Sequence, residues 1–137
     1  MNRRDFRRLA EMRLADAQVL LANRRYAAAY YLAGYAVECG LKACIARQYG
    51  RYEFPPKNVP GTLYIHDLGK LATNEKLAGA LDTQKRSVPR FASNWVIVTT
   101  WNEDSRYRNW TKEEAHELID ARTEVPDGVM EWIRQLW

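Results

Sequence analysis

The chain has 137 residues, is 47% apolar and 28% charged, and carries a formal net charge of +4 at pH 7. That length suits one domain, residues 1–137, and the composition excludes disordered and collagen-like classes. Two Cys cannot build a disulfide framework, and two Cys with two His do not fall at zinc-ligand spacing, so no metal and no cofactor are expected.

Residues 3–23 lack Gly and Pro and are rich in Arg, Leu, Ala and Glu, which predicts a first helix. Phe6, Ala10, Ala17 and Leu21 mark its apolar stripe, and Arg13 falls inside it. An arginine there must reach an edge or find an acid. Residues 25–49 predict a second long helix, apolar nearly all round from Tyr26 to Ala46, as suits a central helix. Ala29, Ala33, Ala36 and Gly40 form a strip of small residues that lets another helix approach closely, and Gly50 is the expected C-cap. Glu38 and Lys42 stand at i and i+4. In a hairpin turning near residue 24, Arg13 lies level with 35–38, so Arg13, Glu38 and Lys42 are expected as a structural polar group. Cys39 and Cys44 lie on different faces of one helix and are expected to be buried and unbridged.

Residues 51–65, with three prolines, predict a loop. Asp67 is the expected cap of a helix running to about residue 82, with a break near Thr73-Asn74. Ser87-Val88-Pro89 predicts another helix start. The β-branched run Val96-Ile97-Val98-Thr99-Thr100 is taken as buried helix, because a lone strand would be left unpaired. Residues 102–110 predict a polar loop. Thr111 and Glu114 form a capping box for a last helix reaching about Leu136, kinked or interrupted at Pro126 and Gly128. The sum is an all-α, antiparallel up-and-down bundle of about five helices.

The charge is uneven: residues 1–51 carry ten basic and four acidic groups, and residues 111–137 three basic and seven acidic. The basic part either meets nucleic acid, pairs with the acidic C-terminal part, or is simply solvated. The longest apolar run is too short to span a bilayer, and no apolar stretch follows the N-terminal arginines as in a secretory signal. A cytoplasmic location without membrane contact is expected.

Three segments together carry a resemblance. Arg25-Tyr26 through Ala-Val-Glu38-Cys-Gly-Leu-Lys42-Ala43 resembles the second-helix signature of HEPN domains. His66-Asp67-Leu68 is similar to the start of their third helix, and Ser105-Arg106-Tyr107-Arg108 with the capped helix ending Met130-Glu-Trp-Ile133 to their last third. The resemblance implies a helical bundle that forms a homodimer. It also implies a nucleotidyltransferase-family partner within a prokaryotic toxin–antitoxin or defence module. Many HEPN proteins hold a ribonuclease site built from Arg, four to six residues, then His. Here seven residues separate Arg108 from His116, and His66 has no near upstream Arg. The motif is unmatched, so a non-catalytic role is expected.

His66 and His116 remain weak catalytic candidates, with local hydrogen bonding and solvated helix surface as their ordinary roles. Arg106, Tyr107, Arg108 and Trp110 mix guanidinium with aromatic groups, which suits phosphate contact and base stacking by nucleotide or RNA. Their ordinary role is a loop anchored by aromatic packing. The alternative function is a metal-independent ribonuclease using a rearranged Arg/His site, or a dimeric interaction domain with no nucleic-acid contact.

Overall fold

The computed structural model describes residues 1–49 and 64–137. The loop expected at 51–65 falls mostly outside them, as does the C-cap expected at Gly50. Two long helices lead: α1 (Arg3–Ala22) and α2 (Tyr26–Ala46). Asn2 opens α1 with a capping box, its side chain accepting from Asp5 N while Asp5 accepts from Asn2 N. The turn between the helices is short, and Arg24 takes the left-handed conformation (φ 61°) that few non-glycine residues adopt. The chain therefore reverses, and α1 lies antiparallel along α2, its buried face made of Phe6, Ala10, Leu14 and Ala17.

As the apolar run predicts, α2 is central. It is buried almost continuously from Ala29 to Ala46 and contacts α1 and most of the later elements. The small residues have the expected cause. The Trp101 ring occupies the space a Cβ on Gly34 would need, and a Cβ on Gly40 would lie 2.9 Å from Ile133 Cγ2.

The expected break at Thr73-Asn74 separates α3 (Leu68–Leu71) from α4 (Glu75–Ser87). Asp67 caps α3, accepting from Lys70 N at 2.9 Å. The β-branched run is helical: α5 (Pro89–Thr99) starts with Pro89 in its first turn and buries Phe91, Asn94, Trp95 and Val98. The polar stretch 102–110 is more ordered than a loop. Residues Glu103–Tyr107 form a 3-10 turn, because the Asn102 side chain accepts from Asp104 N while Ser105 Oγ accepts from Asn102 N. The Thr111 capping box opens α6 (Lys112–Thr123), and the chain resumes as α7 (Val129–Leu136) beyond Pro126. The bundle is all-helical as predicted among the described residues, with seven α-helices because two expected helices are each split.

Among the described residues no helix is long and apolar enough to cross a membrane. Trp132 meets Phe91 tilted at 5.4 Å and Trp95 edge-on at 6.2 Å, closing α5 against α7.

The sequence suggested basic N-terminal and acidic C-terminal parts pairing. The observed bridge runs with opposite polarity: Arg134 of α7 grips Glu11 of α1 through two bonds of 2.8 and 2.9 Å. Arg3, Arg4, Arg7 and Arg8 make no ion pair among the described residues.

Candidate functional site

Tyr31, Tyr35, Glu38 and Lys42 follow one another at steps of four, three and four, so they share one face of α2. The Tyr31 and Tyr35 rings lie parallel, 6.3 Å apart, and Tyr31 also meets Trp101 at 5.9 Å. Glu38 is 2% exposed. A carboxylate so buried must be paired. Lys42 Nζ donates to Glu38 Oε1 at 2.8 Å, as the i,i+4 spacing predicts. The second partner comes from 28 residues further on. His66, just before α3, places Nδ1 2.9 and 3.0 Å from the two Glu38 oxygens. An ionised carboxylate only accepts, so Nδ1 carries the proton it donates.

The other His66 nitrogen faces the 3-10 turn, with Nε2 3.4 Å from Glu103 Oε2. His66 therefore links α2, the segment before α3 and the turn that carries Arg106. The Arg106 guanidinium stands 4.8 Å from the Tyr107 ring centroid, and the neighbouring Tyr107 and Tyr31 hydroxyls push its pKa up. Burial pushes the Tyr35 hydroxyl up to about 12, with Cys39 and Glu38 adding to the effect. Burial likewise pushes Cys39 up to about 12, with the Glu38 charge behind it.

Arg13 does not join this group. Its Nη1 donates to Asp16 Oδ2 at 2.6 Å. The register was sound, since Arg13 acts electrostatically on Cys39. Glu38, however, is already satisfied by Lys42 and His66, and Arg13 reaches an acid one turn along its own helix at less desolvation cost.

Trp110 has one face stacked on Tyr30, 3.6 Å between centroids and 9° between planes. A ring that close fills the face, so Arg108, 4.1 Å from the centroid, covers the other. Trp110 Nε1 also donates to Ser105 O at 2.8 Å. Neither face is open to a base in this arrangement, and Trp110 acts as the anchor of the 3-10 turn. Tyr107 is 74% exposed, so it is the open aromatic group of the turn. His116 is half-buried on α6, less exposed than its Glu-rich surroundings suggested, and takes no part in the Glu38 network. Both cysteines are buried and unbridged. No group of three or more His, Cys, Asp or Glu among the described residues could hold a metal ion.

A family model described as HEPN domain matches residues 4–132, nearly the whole chain. The chain belongs to the HEPN domain family. No curated protein and no solved structure matches it. Within this HEPN fold, the polar strip of α2, His66 and the Arg106 turn form one contiguous cluster. Sequence reasoning separated these residues and did not single out Tyr31 and Tyr35. The spacing of Tyr31, Tyr35, Glu38 and Lys42 is the pattern that marks them as one face.

Proposed function

We propose that this HEPN protein is an RNA- or nucleotide-binding, regulatory member of a nucleotidyltransferase-linked toxin–antitoxin or defence module, acting as a cytoplasmic homodimer. The observation that carries the reading is the Arg106 turn. Arg106 and Tyr107 are exposed, yet their backbone is fixed by Trp110 below and by the Glu103–His66–Glu38 chain beside it. A guanidinium offers several donors to a phosphate, and an exposed tyrosine offers a stacking face. A preset turn loses little entropy when it binds.

Fluorescence anisotropy with a labelled single-stranded RNA tests this. Binding should weaken steeply as salt rises and fall about tenfold in Arg106→Ala. Salt-independent binding, or none, would overturn the reading.

One observation favours the ribonuclease alternative. A histidine oriented by a buried carboxylate is the arrangement of a general base, which could take a 2′-hydroxyl proton. Against it, Nε2 faces the Glu103 carboxylate, 3.4 Å away. RNA degradation in the presence of EDTA, lost in both His66→Gln and Arg106→Ala, would establish the alternative over the binding role.

A further inference from the structure

Where α2 ends, it borders a cavity of about 300 Å³ lined by Cys44, Arg47, Gln48, Leu77 and Leu136. That volume suits a small molecule. Arg47 lies nine residues beyond Glu38, roughly 14 Å along the helix axis, so the cavity is separate from the His66 surface.

Its walls divide by chemistry. Leu77, Leu136 and the Cys44 side chain form an apolar side. Burial raises the Cys44 thiol to about 12 even though Arg3 and Arg47 both pull it down, so Cys44 is a neutral wall and not a nucleophile. The polar side is cationic. Arg47 Nη1 donates to Leu136 O at 3.0 Å, which fixes the guanidinium at the rim. Arg47 makes no ion pair among the described residues. Gln48 Nε2 donates to Asn74 Oδ1 at 2.8 Å and has a second N–H on the same nitrogen.

Basic groups gather around this end of the bundle. Arg3 is close enough to act on the same thiol as Arg47. Arg4, Arg7 and Arg8 share its helix end, also without ion pairs among the described residues. Of the acids on α1, Asp5 closes the cap, and Glu11 holds Arg134 while also feeling the Arg7 charge. Arg7 itself lies over the Trp137 ring, 5.3 Å from its centroid. The cavity thus pairs an apolar wall with a cationic rim.

We propose that this cavity binds a small anion bearing an apolar group, either a phosphate monoester or a carboxylate. The apolar group rests on Leu77 and Leu136, and the anionic oxygens meet Arg47 and the free Gln48 N–H. The Arg3 charge adds long-range attraction.

Thermal melting of the full chain, with titrations followed by NMR, tests this using phenyl phosphate, benzoate and inorganic phosphate, each against sodium chloride at matched ionic strength. Phenyl phosphate should raise Tm saturably. Arg47→Gln, at an exposed position, should weaken that binding at least tenfold, and Gln48→Glu should do the same by placing a like charge at the rim. Arg86→Gln, at an exposed position near the other end of α4, should leave it unchanged. Binding of phenyl phosphate alone assigns the site to phosphate esters, and equal binding of benzoate extends it to carboxylates. Inorganic phosphate binding as tightly as phenyl phosphate would overturn the apolar half of the proposal. A shift reproduced by sodium chloride, or retained in both rim variants, would overturn it entirely.

Discussion

His66 Nδ1 lies 2.9 Å from Glu38 Oε1, and this contact joins two segments 28 residues apart around a carboxylate that water scarcely reaches. Lys42, 9% exposed, depends on the same oxygen. Glu38→Ala would leave a buried ammonium with no carboxylate and should cost about 3 kcal/mol. His66→Ala should cost about 1 kcal/mol, because the imidazole is half exposed and water replaces part of what it loses. Urea unfolding of both variants measures the difference. Equal losses would mean that Glu38 is not held chiefly by Lys42.

The glycines make a paired prediction. Trp101 occupies the position of a Gly34 side chain, and the contacting atoms belong to a rigid ring. Gly34→Ala should therefore destabilise by about 1–3 kcal/mol through overpacking, despite the better helix propensity of alanine. Gly79, in α4, has nothing within 4 Å of its would-be Cβ. Gly79→Ala should gain about 0.5–1 kcal/mol. Opposite signs in thermal melts confirm that Gly34 is kept for packing.

Much of the scaffold was legible because its cues are local. Thr111 with Glu114, Asp67, and Pro89 are caps and starts that each act within a turn. Glu38–Lys42 is likewise one helical turn. The site was less legible because its contacts are not local. Nothing in the spacing of His66 reveals Glu38, and Trp110 looks like a stacking platform until Tyr30 and Arg108 are seen on its faces. Arg13 was placed at the correct height, but height alone could not decide between Glu38 and the nearer Asp16. Arg122 is a different case. It follows Ala115, Leu118 and Ile119 at the spacing of the buried face of α6, so periodicity does mark it, although an arginine is ordinarily assigned to the surface.

Arg122 is 0% exposed and its three guanidinium nitrogens have no hydrogen-bond partner among the described residues. Burial pushes its pKa down to about 9, with Arg134 adding to the effect. Because the folded value lies below the ordinary 12.5, the charged form is penalised in the fold. That penalty is full below pH 9 and is relieved as pH rises from there towards 12.5. Arg122→Met should stabilise the protein at neutral pH, on the order of 1–4 kcal/mol. The gain over wild type should shrink above pH 9. A destabilised variant in chemical denaturation at pH 7 would show that the guanidinium has found a partner such as buried water.

The thiols give the last prediction. Cys39 and Cys44 are both raised to about 12, chiefly by burial, and alkylation requires the thiolate. At pH 8 both should resist iodoacetamide in the folded protein and react only through opening of the bundle. Their folded values lie above the ordinary 9.0, so the fold binds these protons more tightly than the unfolded chain. The stability that this linkage contributes is present below pH 9 and is lost as pH rises from 9 towards 12. Labelling followed by mass spectrometry should show both cysteines modified together as urea crosses the unfolding midpoint. Early labelling of Cys44 alone would mean that the end of α2, with Arg47 and its cavity, opens apart from the rest of the bundle.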